Sequence, residues 1–142
     1  MKTVRKRRPP AINATFPGVI GTAVTKVCAY EVARTGLSEG EAKDAGLDAF
    51  GIVIDATNRA QYYPDTTPIR VKLVTETGTG RLLGAQIVGR EGAAKRVDVL
   101  AACIWNSMTV EAIISVDLGY APPFSPVWDP VLVAARVAAA AL

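Results

Sequence analysis

Between Ile69 and Val88 the chain alternates, turns and comes back. Ile69, Val71 and Leu73 are separated by Arg70 and Lys72, the two-residue period of a half-exposed strand. Gly78-Thr79-Gly80 supplies the turn, and Leu82–Val88 returns as a mostly apolar strand. The pair reads as an antiparallel hairpin, and any fold for this chain has to accommodate it.

Other elements follow along the chain. Thr22–Thr35 (TAVTKVCAYEVART) reads as one strand, with Ala23, Thr25, Val27, Ala29 and Glu31 on one face and Val24, Lys26, Cys28, Tyr30 and Val32 on the other. Its Glu31–Arg34 end is also compatible with helix, and Gly36 breaks the element. Ser38-Glu39-Gly40-Glu41 is a capping box, in which the Ser38 oxygen takes the Glu41 amide and Glu41 reaches back. A short helix to Ala45 follows, with Gly46 as its left-handed stop. Phe50–Ala56 reads as a strand with Ile52 and Ile54 on one face, and Asn58–Thr67 as a loop. After Gly92, the residues Val97, Leu100, Ala101 and Ile104 fall at i, i+3, i+4 and i+7, one face of a helix that ends at Asn106-Ser107. Thr109–Ala112 starts a shorter helix. Gly119–Pro123 is excluded from regular structure, because Pro122 and Pro123 each lack a donor. Pro126–Leu142 reads as a terminal helix.

With 142 residues, half of them hydrophobic and a fifth charged, the chain has the balance of one globular domain that needs neither disulfide nor metal to fold. It contains no histidine, which excludes Ser-His-Asp and Cys-His catalysis within the chain and any imidazole metal site. Cys28 and Cys103 are too far apart in sequence for a Cys-x-x-Cys pair, and both read as buried small apolar residues. No metal site is expected. The net charge of +3 is a property of the terminus: Lys2, Arg5, Lys6, Arg7 and Arg8 carry it, and the remainder is slightly acidic. No aromatic residue interleaves with that run, so the stacking half of single-strand binding is missing and nucleic acid is not the expected partner. Residues 1–15 read as a basic, Pro-containing arm and 16–142 as the domain. No apolar stretch reaches the length of a membrane span, no signal core follows the basic start, and the cysteines are unpaired, so the expected compartment is the cytoplasm.

Two motifs fall short of the chemistry they resemble. GTGRLLG (Gly78–Gly84) has one residue too many for a dinucleotide fingerprint and lies between two strands. GREGAAK (Gly89–Lys95) lacks the spacing and ending of a phosphate cradle. Asp117 and Asp129 are candidate paired carboxylates, but a Pro-Pro kink separates them, and helix capping suits Asp129 better.

The most unusual stretches are NRAQYYP (Asn58–Pro64) and LGYAPPFSP (Leu118–Pro126), which both set tyrosine against proline in a loop. Loops stiffened in this way cost little entropy to hold, which suits an interface or pocket rim. Aromatic plugs closing a small core are an equally good reading of the same residues.

These loops stand in an ordered series with Gly21-Thr22, VARTGLSEGEAKDAG (Val32–Gly46), LLGAQIVGREG (Leu82–Gly92), KRVDVLA (Lys95–Ala101), MTVE (Met108–Glu111) and YAPPFSPVWDP (Tyr120–Pro130). From about Phe16 to Val131 the series resembles the C-terminal dimerisation domain of the FAD-dependent pyridine nucleotide-disulfide oxidoreductases, in the coenzyme A-disulfide reductase and NADH oxidase branch. The resemblance implies an α+β domain, an antiparallel sheet with helices packed on one face. It also implies a homodimer that completes the active site of its partner. FAD and NAD(P)H belong to the parent enzyme, whose other domains and redox cysteine are not in these residues. None is expected to bind this chain alone, and the chain alone is not expected to catalyse the family reaction.

Two tyrosines carry over by motif. Tyr62, the first of the Tyr-Tyr-Pro pair, and Tyr120, before Ala-Pro-Pro, match tyrosines that this branch aims at the partner's redox cysteine, where a phenol donates to a thiolate or leaving sulfur. Pro123, Phe124 and Ser125, with Pro126, would wall the partner's flavin. One departure is Arg59, which stands where relatives often carry histidine; arginine holds a phosphate or carboxylate but does not shuttle protons. A two-fold interface uses one patch twice, so an apolar face is expected to lie uncovered in the single chain. The alternative reading is a stand-alone, non-catalytic dimerisation or binding module that caps a separate flavoprotein.

Overall fold

The computed structural model describes residues 15–142. The basic run Lys2–Arg8 lies outside the described residues, as does nearly all of the predicted 1–15 arm. Five strands form one antiparallel sheet: β1 (Ala23–Val27), β2 (Tyr30–Gly36), β3 (Ala49–Thr57), β4 (Pro68–Glu76) and β5 (Leu82–Gly89), in the order β1-β2-β5-β4-β3. Four helices accompany them: α1 (Glu39–Asp44), α2 (Ala93–Trp105), α3 (Val110–Ile114) and α4 (Pro130–Ala139).

The predicted hairpin is β4–β5, and it lies at the centre of the sheet rather than at its edge. Ile69, Val71 and Leu73 of β4 point to one face with Ala85 and Ile87 of β5. Val97 and Leu100 of α2, Ile113 of α3, and Val131 and Ala135 of α4 close over them. All of these side chains are fully buried. A buried Leu, Ile or Val contributes about 1.5–3 kcal/mol, so this layer is the main source of stability.

The other face is covered only in part. α1 lies on it, with Ala42 against Val74 and Leu83. A register shift at Val74/Thr75 pairs Thr75 with Leu82 and skips Leu83; Leu82 enters the main core and Leu83 the smaller one under α1. Gly84 follows the shift because the Leu37 carbonyl crosses there; a Cβ on residue 84 would stand 1.8 Å from that oxygen.

The predicted single strand over 22–35 is two strands. The chain reverses at Cys28-Ala29, with Val27 paired to Tyr30 and Cys28 at a φ of 52°. Neither turn residue is Gly, Asn or Asp, so the usual local signal for a hairpin was missing. The Glu31–Arg34 end is strand, not helix, because it pairs with β5. The reversal also corrects the expectation for Cys28, which is exposed, whereas Cys103 is buried as predicted. Burial pushes the Cys103 thiol above its usual range.

The capping box at Ser38 is formed, with Glu41 accepting from the Ser38 amide at 2.6 Å and donating its own amide to Ser38 Oγ at 3.2 Å. The terminal helix is shorter than predicted. It begins at Pro130, whose missing donor costs nothing in the first turn, and Asp129 caps it through the Val131 amide at 2.9 Å.

Candidate functional site

One end of the sheet gathers four loops and helix starts. There β3 ends, β4 begins, β5 runs into α2, and the long connection from α3 delivers the chain to α4. The loop after β3 braces itself. The Asn58 amide donates to the Thr67 carbonyl at 3.0 Å, and Asn58 Oδ1 accepts from the Thr67 amide at 2.8 Å. Thr66 Oγ1 reaches the carbonyls of Ala60 and Tyr63 at 2.8 and 2.6 Å. Asp65, with a φ of 59°, completes the turn.

The second loop is tied to the first by its backbone. The Ala60 amide donates to the Pro122 carbonyl at 3.2 Å, and the amides of Phe124 and Ser125 return to the Ala121 carbonyl at 2.9 and 3.1 Å. This juxtaposition brings Tyr62 and Tyr120 together although 57 intervening residues separate them in sequence. The Tyr62 phenol beside it raises Tyr120 above the usual phenol range, with loss of solvent adding in the same direction.

Tyr62 is 78% exposed, Tyr120 49% and Phe124 77%, so these aromatics form a rim and do not plug a core. Trp128, also exposed, is held by the Arg136 guanidinium 3.6 Å above its ring. Pro123 is half-buried. Ser125 is buried, with its hydroxyl 2.7 Å from the Pro126 carbonyl and 3.0 Å from Asp129 Oδ2, which places it in the frame beneath the rim.

That frame centres on a buried ion pair. Arg96, one turn into α2, and Asp129 are each 8% exposed. Arg96 Nε donates to both Asp129 oxygens at 2.9 and 3.2 Å. Nη2 donates to the Asn58 carbonyl at 2.9 Å and the Phe124 carbonyl at 3.3 Å, and Nη1 to Gly92 at 3.3 Å. One guanidinium therefore spans both tyrosine loops, the start of α2 and the start of α4. Sequence reasoning placed Arg96 only within KRVDVLA, and Asp129 as a helix cap or a partner for Asp117; nothing local marked Arg96 and Asp129 as partners. Asp117 is exposed, and Asp129 is committed to Arg96, so the two carboxylates do not form a pair.

Arg59 holds a carboxylate, that of Glu91. With Asn58, Lys95, Pro123 and Phe124 it lines a cleft of about 530 Å³ beside the frame. Glu31, at the start of β2, also borders the cleft and accepts from the Ala94 amide at 3.0 Å, capping α2 across 63 residues where Gly92 offers no side chain. Gly78–Gly84 lies on the β4–β5 turn and the first residues of β5, with no helix after it, so it does not form a dinucleotide cradle.

The face of β1, β2 and β5 that α2 does not cover carries Val27, Tyr30, Val32 and Val88, all exposed. This is the uncovered apolar face that the sequence led us to expect. Among the described residues, no helix is long and apolar enough to cross a membrane.

A family model described as the pyridine nucleotide-disulphide oxidoreductase dimerisation domain matches residues 22–130. The chain is 47% identical over 122 residues to an NAD(P)H coenzyme A polysulfide/persulfide reductase of Pyrococcus horikoshii, covering 86% of this chain and 27% of that protein. It is 33% identical over 110 residues to a coenzyme A disulfide reductase of Staphylococcus aureus, covering 78% of this chain and 25% of that one. Among solved structures, an NAD-dependent persulfide reductase from A. fulgidus superposes with a TM-score of 0.87 at 48% identity, over 89% of this chain and 24% of that chain. The chain thus spans about a quarter of the length of these relatives.

Proposed function

The chain belongs to the pyridine nucleotide-disulphide oxidoreductase family, as its dimerisation domain, and from that premise we propose that it serves a reductase of sulfur–sulfur bonds in coenzyme A disulfides or persulfides. Residues 16–142 form the two-fold interface, and Tyr62 and Tyr120 act in trans at the partner's redox centre. The observation that carries this reading is the pair of phenols, brought together and left exposed on a braced rim. Exposed aromatics gathered on one rim, rather than scattered singly, mark a surface that meets another molecule.

The chemistry of the pair fits the task. A phenol donates one hydrogen bond, and a raised affinity for its proton keeps Tyr120 in the donating form at every physiological pH. Aimed at a sulfur that gains negative charge as an S–S bond breaks, such donors lower the cost of the leaving thiolate. FAD and NAD(P)H supply the reducing electrons in this family when bound. The rim fits a flavin's edge: Phe124 offers an open apolar ring, with Pro123 beside it and Ser125 bracing the loop from below. These residues would exclude water from one side of the ring system. The nucleotide cradles belong to the parent enzyme.

The uncovered face around Tyr30 and Val32 is the surface we assign to the second copy. This reading places the protein in the cytoplasm, where Cys28 and Cys103 stay as thiols.

The test is a chimera in which this chain replaces the matching quarter of the Pyrococcus horikoshii relative. It is expected to be dimeric and to oxidise NAD(P)H with coenzyme A disulfide, and Tyr62→Phe with Tyr120→Phe is expected to lower kcat. A dimeric, flavin-loaded chimera whose turnover ignores both changes would refute the role in trans.

A further inference from the structure

We infer that Arg96 is a positioning residue: its guanidinium, anchored on Asp129 and bonded to the Asn58 and Phe124 carbonyls, sets the Tyr62 loop and the Tyr120 loop against each other. The inference rests on the reading that these phenols act in trans, and it names the group that fixes their geometry.

Four observations converge on it. First, the two loops share only one direct backbone bond, Ala60 to Pro122 at 3.2 Å, which is too little to fix their relative height. The guanidinium supplies a second tie, from Asn58 on one loop to Phe124 on the other, on the core side of the tyrosines. Second, the fork is held from behind. Both Asp129 oxygens take Arg96 Nε, and they are themselves fixed by the Val131 amide and the Ser125 hydroxyl. Third, the backbone yields space for it. A Cβ on Gly92 would stand 2.5 Å from Arg96 Nη1. Fourth, α2 carries Arg96 on the turn just before Val97 and Leu100, whose side chains are locked in the main core. The tyrosine loops are thus referenced to the rigid sheet-and-helix layer as well as to each other. Lysine has one point charge and no planar fork, so it cannot serve Asp129 and two carbonyls at these separations.

The experiment uses the 142-residue chain with ¹³C-labelled tyrosine rings. In the parent chain, Tyr62 and Tyr120 are expected to show inter-ring contacts, and Tyr120 to titrate above an ordinary phenol. In Arg96→Lys the contacts are expected to vanish and Tyr120 to return towards the ordinary phenol range. A merely stabilising ion pair would lower the melting temperature and leave the coupled titration in place; that result overturns the inference. If Arg96→Lys fails to fold, Arg96→Met combined with Asp129→Asn removes both buried charges and keeps the cap acceptor, and the same readouts apply.

In the chimera, Arg96→Lys is expected to lower kcat about ten- to a hundredfold with KM for the pyridine nucleotide unchanged. Retention of full kcat after loss of the inter-ring contact would overturn positioning as a catalytic role. Failure of the wider reading has a different signature: Tyr62→Phe and Tyr120→Phe would leave turnover intact while Arg96→Lys still uncoupled the rings in the isolated chain.

Discussion

Gly92 stands against Arg96 so closely that a single methyl group at residue 92 would meet the guanidinium at 2.5 Å. Gly92 also caps α2 with a φ of 84°, a conformation that L side chains rarely adopt. Gly92→Ala is therefore expected to destabilise the chain twice over, by about 1–2 kcal/mol from the backbone alone and by more through the displaced ion pair. Equilibrium urea unfolding checks the magnitude. An unchanged midpoint would mean that the loop at 90–92 relaxes freely.

Tyr62 and Tyr120 make a prediction that needs no partner chain. The Tyr120 hydroxyl keeps its proton because the Tyr62 oxygen beside it favours the neutral form. Tyr62→Phe removes that oxygen, so Tyr120 is expected to ionise at lower pH, closer to the usual phenol value of 10. Tyrosine ¹³C shifts followed from pH 8 to 12 read the change.

Glu41 sets an acid limit on the α1 corner. The Ser38 amide and hydroxyl, with the Arg34 guanidinium at 2.7 Å, hold its carboxyl at about 2, down from the ordinary 4.5. A depressed folded-state value means stability that is fully present above pH 4.5 and lost as the pH falls through about 2. Asp55, lowered by Arg70, acts in the same direction. The melting temperature is expected to fall between pH 5 and 2, and Glu41→Gln to fall less steeply while starting lower. Equal slopes for the two chains would disprove the assignment.

Val32 lies at the middle of the uncovered apolar face, between Thr25 of β1 and Val88 of β5. Val32→Glu adds a charge that solvent accepts in a single chain but that two copies would have to bury together. Light scattering is expected to show the mass shift from dimer to single chain, with the circular dichroism of the fold retained. A dimer that survives Val32→Glu would move the interface elsewhere.

Much of this protein was determined by local sequence. The period-two run from Ile69, the helical period from Val97 and the box at Ser38 each depend on residues within a turn or two of one another, so the β4–β5 hairpin, α2 and α1 were legible. The motif series, including both tyrosine loops, was legible as a family pattern. The reversal at Cys28-Ala29 was not, because nothing in those side chains favours a turn; pairing of β2 with β5 imposes it. The start of α4 was misplaced for a related reason. Pro126–Trp128 stay irregular because Asp129 is drawn to Arg96 and the Ser125 hydroxyl to Asp129. The exposure of Tyr62, Tyr120 and Phe124, which sequence left open between rim and plug, was decided by loops crossing at Ala60 and Pro122. Short-range periodicity reports which face of an element is apolar. It carries no information about which distant carbonyl a buried guanidinium will reach, because that depends on where α2, α4 and two loops come to rest in three dimensions.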